Sequence, residues 1–288
     1  MSKARLRYGM RTSSIVNLLD KWFPRHPDRW VLVPQLAKFY ALNCAYHEMT
    51  RSGNKLSDPQ VNLLSCLLMA DGEYAEIGCG GGSVCRLVSE TATVHGFDVS
   101  PIAIENAQRL CKGCRADFSC VAGEKLPLND NTVMGSYSFE VFEHVWDPLI
   151  IAREMVRITR PGGFILISMP NRFSLDLHLP KKTASRFADM GMAFFRLLVD
   201  KLSGRVFVNL CPDIDGDIYP DCDMVSSVVP CNFASALERM GCIVDFWDTY
   251  YMCAQREGSS TGIDFQKNVG SPFFKNFGDH LLVLAHKE

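Results

Sequence analysis

The residues best suited to chemistry lie in Ala75-Glu76-Ile77-Gly78-Cys79-Gly80-Gly81-Gly82-Ser83. Glycines 78, 80 and 82 reach backbone angles closed to other residues and let a ligand touch the main chain. Asp98 ends the next apolar run, 20 residues after Gly78, where a carboxylate can accept both hydroxyls of a ribose. The pattern predicts a nucleoside-binding turn. A dinucleotide would use the same geometry, but its fingerprint wants Gly or Ala where this chain has Ser83. Glu76, just ahead of the turn, is unhelpful beside a pyrophosphate and suits a nucleoside carrying a cationic amino-acid group.

Further candidates follow. A histidine titrates in the range useful to a general base, which makes His144 a candidate, with Glu140 and Glu143 weaker candidates for the same role. A structural histidine is the alternative. Asn171, Arg172, Phe173 and His178 leave the fifth predicted strand towards the side where a second substrate would sit. Phe187, Phe194 and Phe195 suit an apolar pocket wall or the packing of their own helix. The run Asp213, Asp215, Asp217, Asp221 and Asp223 resembles a cation loop but lacks Glu at the twelfth position, so a solvated loop is expected and magnesium is the minor option. The chain has 12 cysteines, scattered through apolar patterns, with one C-x-x-C at Cys111 and Cys114. No second pair completes a zinc site, and reduced thiols are expected.

These residues need elements to position them. Short β-type runs alternate with helical segments from about residue 72, the pattern of a parallel sheet. Strands are expected near 73–77, 94–98, 117–121, 132–138 and 164–169, with helices near 82–89, 101–111 and 147–159. Arg160-Pro161-Gly162-Gly163 reads as a helix stop and turn. Residues 1–70 look helical, with Leu36, Phe39, Tyr40 and Asn43 on one face and a stripe of Val61, Leu64, Leu67 and Leu68. A helix near 232–240 and strands near 244–251 and 280–286 resume the alternation. The expected organisation is a helical cap over 1–70, a core over 71–170, an inserted lid over 171–230 and completion of the sheet over 231–288.

Composition narrows the classes. The chain of 288 residues is 47% hydrophobic and 22% charged with a formal net charge of -2, ordinary for a globular protein. That balance gives no global electrostatic case for nucleic acid or an anionic membrane. No apolar run approaches the ~18 residues of a membrane span. Residues 1–19 are basic in the manner of a transit segment, but a solvated arm leading into a helix is the simpler reading.

The blocks AEIGCGGG, HGFDVSPIAIENA, AGEKLPLNDNTV, SFEVFEHVWDP and REMVRITRPGGFILISMPNR occur in an order that resembles the class I S-adenosylmethionine-dependent methyltransferases. They look most like the ubiquinone, menaquinone and natural-product branch, over roughly residues 70–172. The resemblance implies an α/β, Rossmann-like, seven-stranded and mostly parallel sheet with the last strand antiparallel. It implies S-adenosyl-L-methionine as cofactor, S-adenosyl-L-homocysteine as product, a small-molecule acceptor methylated at O, N or C, and a cytoplasmic location. Protein or RNA methylation and non-catalytic cofactor binding are the alternatives, and a homodimer is among the oligomeric states allowed.

Carried over residue by residue, Glu76, Gly78, Cys79, Gly80 and Gly82 would lie at the amino-acid end of the cofactor. Asp98 would hold the ribose and Val99 would pack beside the adenine. Gly123, Glu124 and Lys125 would form the adenine-edge loop. Phe139 and His144 would lie near the sulfonium. Two departures stand out: Ala122 occupies a frequent Asp position, leaving the adenine amine to Glu124 or backbone, and Val133-Met134 replaces a frequent Phe-Asp.

Overall fold

The computed structural model describes residues 34–36, 38–40, 58–121, 125–171, 197–210, 223–250 and 280–288, with isolated positions 191, 194, 195, 212, 214, 276 and 278. Helix α1 (Asp58–Leu67) precedes strand β1 (Glu73–Ile77), helix α2 (Ser83–Val88), strand β2 (Thr93–Asp98), helix α3 (Pro101–Leu110) and strand β3 (Ala116–Cys120). Strand β4 (Val133–Phe139) leads through a single 3-10 turn (Phe142–His144) to helix α4 (Pro148–Ile158) and strand β5 (Thr159–Pro170). Short strands β6 (Phe207–Asn209) and β7 (Ser226–Val228) pair antiparallel. Helix α5 (Pro230–Arg239), strand β8 (Cys242–Tyr250) and strand β9 (His280–Lys287) complete the order.

The sheet order is β3-β2-β1-β4-β5-β9-β8, with β9 antiparallel to both neighbours. This is the expected seven-stranded Rossmann-like sheet. Its strands alternate between two apolar clusters because successive side chains point to opposite faces. Ile165, Ile167 and Met169 pack on one side with α4 and α5 residues such as Met155, Phe233 and Leu237. Phe164 and Leu166 pack on the other with Leu64, Val84, Val88 and Ile104. A central strand buried on both faces has to be apolar throughout, as β5 is from Phe164 to Ile167.

Helices α3, α4 and α5 each begin with proline at the first helical positions, where a missing N–H costs nothing. Arg160-Pro161-Gly162-Gly163 ends α4 as expected, but it does not lie outside the strand. Thr159 already pairs with Val133 and Phe164 with Gly135, so the four residues bulge out of a continuous β5. Gly162 carries a φ of 74° at this kink. The stripe of α1 is core packing: Leu64 is fully buried, and Leu67 and Leu68 lean on the same cluster.

Only parts of the cap and of the 171–230 segment fall among the described residues. Residues 34–36 and 38–40 are helical, as are 197–203. Of the helical spacing expected over 181–202, residues 181–190 lie outside the described residues, as do Asn43 and Phe187. Phe194 is 49% and Phe195 56% exposed. No helix among the described residues is long and apolar enough to cross a membrane.

The stretch after β3 is held from α4. Arg157 donates to Glu154, to Asp130 and to the carbonyls of Leu126 and Leu128, while Glu154 accepts from the Leu126 N–H. These contacts hold the Glu154 carboxyl below its usual range. Arg157→Ala removes several donors from carbonyls that stay in place and is expected to lower stability by about 1–3 kcal/mol. A urea midpoint equal to that of the wild type would show the stretch to be held otherwise.

Candidate cofactor-binding and catalytic site

The parallel strands end on one edge, and the sequence-predicted residues gather there. The turn after β1 is bound to β2 by the Gly78 and Cys79 N–H groups, which donate to the Phe97 carbonyl at 2.7 and 2.9 Å. Gly78, Gly80 and Gly82 have φ values of 76°, 49° and 81°, in the left-handed region that other residues rarely enter. Their surroundings differ. A Cβ on Gly78 would strike Val141 at 2.1 Å, and one on Gly82 would meet Ala107 at 2.9 Å. At Gly80 and Gly81 a Cβ would meet nothing within 4 Å. The first and last glycines therefore serve packing, and the middle pair leaves backbone open to a ligand.

Asp98 faces this opening. Its Oδ2 accepts from the Gly80 N–H at 2.9 Å and its Oδ1 from the Ser100 N–H at 2.8 Å. A carboxylate offers about four acceptor sites over its two oxygens, more than these two N–H groups fill. Val99, next to it, is 40% exposed, an open apolar surface at the mouth of the site. Lys125 is exposed, whereas Ala122, Gly123 and Glu124 lie outside the described residues.

Glu76 is 4% exposed and accepts from the Cys85 thiol at 2.9 Å and the Tyr137 hydroxyl at 3.3 Å. Burial dominates these neutral donors and lifts its pKa from 4.5 to about 8. A carboxyl sealed in this way is neutral near pH 7 unless a cation reaches it. The residues fit the cofactor implied by the sequence: an open backbone, a two-oxygen acceptor beside it and a buried acid beneath. Phe139 is buried 5.6 Å from the Tyr137 ring, under the same end of β4.

A polar group spans β4, β5 and β9. Glu140 directly follows β4 and holds a φ of 56°, a strained value for a residue other than glycine. Its Oε1 accepts from Ser168 Oγ at 2.7 Å and from Gln60 Nε2 at 3.2 Å, and Gln60 also contacts the Ser168 hydroxyl closely. Its Oε2 lies 3.1 Å from His280 Nε2, and the His280 ring packs 5.7 Å from Tyr250. Gln60 and Ser168 are buried, whereas the Glu140 and His280 side chains are 31% and 17% exposed.

His144 belongs to a second group. Its Nδ1 lies 3.1 Å from Asp223 Oδ2 and its Nε2 3.4 Å from Glu143 Oε1, with both carboxylates buried. Tyr40 donates to Asp223 at 2.6 Å, and its carbonyl accepts from Ser100 Oγ at 3.1 Å. Asp223 is therefore not part of a solvated loop. A buried carboxylate needs partners, and His144 and Tyr40 supply them. The remaining aspartates of that run lie outside the described residues.

Asn171, expected on the acceptor side, is anchored at the end of β5. Its amide donates to the Asn276 and Gly278 carbonyls, each at 2.7 Å, tying the end of β5 to the chain before β9. Arg172, Phe173 and His178 lie outside the described residues. Sequence reasoning did not single out Gln60, Ser168 or His280, and read Asp223 only as part of the acidic run. For His280 a signal existed, since the first residue of an antiparallel last strand must fall on the edge where the parallel strands end. Among the described residues no cluster of three His, Cys, Asp or Glu side chains is arranged to hold a metal ion. Cys111 and Cys114 are free thiols, Cys111 lying against the Gly82 carbonyl.

Between about pH 5 and pH 8 the folded chain keeps a proton on Glu76 that the unfolded chain has released. Stability attributable to this group thus falls as pH rises through that window. Glu76→Gln removes the slope and should gain on the wild type by about 2–3 kcal/mol from pH 5 to pH 7. Urea unfolding checks this, and parallel pH curves would mean that the carboxyl is ionised in the fold.

Residues 75–167 match the methyltransferase domain family. A Mycolicibacterium smegmatis protein named for S-adenosylmethionine-dependent methyl transfer is 33% identical over 105 residues, 36% of this chain and 40% of that one. The ubiquinone biosynthesis O-methyltransferase of Pseudomonas aeruginosa is 29% identical over 36% of this chain and 47% of its own. The matched stretch thus spans less than half of either relative. A Haloferax volcanii complex of a methyltransferase activator with a methyltransferase superposes with a TM-score of 0.54 at 15% identity, covering 87% of this chain and 96% of that chain. The ordered sequence blocks, the seven-stranded sheet and the family match agree: residues 75–167 form a methyltransferase domain of the class I S-adenosylmethionine-dependent kind.

Proposed function

We propose that the chain transfers a methyl group from S-adenosyl-L-methionine to a small-molecule acceptor, and that the acceptor atom is a hydroxyl oxygen. The observation that carries the cofactor site is the open backbone at Gly80 and Gly81 beside the Asp98 carboxylate. In this reading Asp98 holds the ribose, Val99 borders the adenine with Gly123, Glu124 and Lys125, and Glu76 lies under the amino-acid end. When bound, the cofactor supplies a methyl group already activated on a sulfonium, so the chain's main task is orientation.

A hydroxyl acceptor also needs somewhere to leave its proton. The Glu140–His280 pair suits that task, because Ser168 and Gln60 fix one carboxylate oxygen while the other meets the imidazole. His144 is less suited. Both its ring nitrogens face carboxylates, and accepting a proton from a substrate would mean leaving one of them. It joins the turn after β4 to Asp223, which makes it a positioning residue. Arg172, Phe173 and His178 remain part of the acceptor side in this reading, the 171–230 segment acts as a lid and the protein works in the cytoplasm.

Labelled cofactor offered to a metabolite pool tests the reading. Methyl transfer to a small hydroxylated product is expected, and S-adenosyl-L-homocysteine binding without transfer to any acceptor would contradict it. Asp98→Ala should weaken S-adenosyl-L-homocysteine binding about 10–100-fold by calorimetry, from the loss of charge-assisted hydrogen bonds. Near wild-type affinity would remove Asp98 from the site. Glu140→Gln and His280→Ala should lower turnover by about 10²-fold or more with cofactor affinity kept. If His144→Ala alone abolishes turnover, the proton passes to His144.

A second reading has one observation in its favour. The Haloferax structure is a complex of a methyltransferase activator with a methyltransferase. Activity that appears only with a partner protein would support dependence of that kind.

A further inference from the structure

The end of α3 is docked on the glycine turn through sulfur. Cys111 caps the helix, buried, and its thiol donates to the Gly82 carbonyl at 3.5 Å. The same carbonyl accepts the Arg86 N–H at 2.9 Å, the first helical bond of α2. The Arg86 side chain closes the contact from the other side, donating to the Leu110 carbonyl at 2.9 Å. Gly82 is tightly enclosed here, since a Cβ on it would meet Ala107 at 2.9 Å and the Cys111 sulfur at 3.5 Å. Close-packed contacts transmit displacement, so the position of the Cys111 sulfur bears on the last glycine of the turn.

A second thiol follows three residues later. The Cys114 N–H donates to the Cys111 carbonyl at 2.9 Å, closing a reverse turn over Lys112 and Gly113, with Gly113 at a φ of 84°. Such a turn brings its end Cα atoms within about 7 Å, the span that a disulfide bridges. Both thiols are free. Cys114 is half-buried between exposed Gly113 and exposed Arg115, whereas Cys111 is sealed. Burial and the neighbouring Cys114 push the Cys111 thiol up to about 11, although Arg86 pulls it the other way. The surface thiol therefore meets a reagent first, and the buried one is its resolving partner.

We propose that Cys111 and Cys114 are a redox modification site, a reversible disulfide whose closure draws the Cys111 sulfur off Gly82 and loosens the glycine turn. The oxidant is a small disulfide such as oxidised glutathione. The Cys114 thiolate attacks one glutathione sulfur, breaks that S–S bond and releases the first glutathione as thiolate. The Cys111 thiolate then attacks the Cys114 sulfur and releases the second. Two protein thiols lose two protons and two electrons, and one glutathione disulfide becomes two thiols. Cys111 then has no hydrogen to donate to Gly82. The reduced pair is the form that holds the turn. Its bearing on the cofactor rests on the site proposed above, whereas the disulfide itself does not.

The full chain, equilibrated in glutathione buffers of rising oxidised fraction, is alkylated and mapped by peptide mass spectrometry. A Cys111–Cys114 cross-link is expected at the oxidising end. S-adenosyl-L-homocysteine affinity by calorimetry should fall roughly 5-fold or more and return with dithiothreitol. Hydrogen exchange over residues 78–86 reads the loosening without ligand and should quicken by a similar factor. Cys114→Ser keeps the Gly82 contact but cannot close the bridge, so it should match the reduced wild type in every buffer. Absence of the cross-link at every ratio overturns the proposal. So does a cross-linked protein whose turn exchanges or binds as the reduced one does, or a Cys114→Ser variant that loses affinity on oxidation. A reduced protein with no affinity for S-adenosyl-L-homocysteine would count against the cofactor site instead, and the exchange rates would still decide the redox site.

Discussion

The site depends on one carboxylate. Asp98 accepts from the Gly80 N–H with one oxygen and from the Ser100 N–H with the other, joining the glycine turn to the start of α3. Sheet order makes that junction possible. With β1 between β2 and β4, the connections leave in opposite directions and open a crevice at the end of β1. Asp98 borders the crevice from β2 and Glu140 from β4. The first and last glycines of the turn close it by packing on Val141 and Ala107, so the open backbone is confined to the middle pair.

Glu76 adds an electrostatic constraint. Its carboxyl is sealed between α2 and β4 with a thiol, a phenol and the Cys85 backbone as neutral donors, and burial outweighs them. A cation arriving above the turn would reverse that balance, whereas a pyrophosphate would not. The same residue that separates the two cofactor classes in the sequence thus has a physical cause in the fold. Further along the edge, charge is handled in pairs: Glu140 with His280, and His144 with Asp223 and Glu143.

Local features of the fold were legible in the sequence. Short β-type runs alternating with helical segments marked the strands, and the glycine spacing marked the turn. The bulge at Pro161-Gly162 was read as a turn because a continuous strand across two glycines has no local signal; pairing with β4 imposes it. Long-range contacts were the least legible. Asp223 looks like one of several solvent aspartates until Tyr40, from 183 residues earlier, donates to it. Gln60 is an ordinary helical polar residue until it meets Ser168. Asn171 leaves β5 at the open edge, and the two carbonyls before β9 that its amide meets have no local signal.

The central claim is that the cofactor lies over Gly80 and Gly81 with its ribose on Asp98. A crystal structure of the complex with S-adenosyl-L-homocysteine tests it most directly. Both ribose hydroxyls should lie within about 2.6–3.2 Å of the Asp98 carboxylate, with the amino-acid end over the open glycines above Glu76. A ligand bound elsewhere, or one whose ribose hydroxyls do not reach the Asp98 carboxylate, would contradict the account.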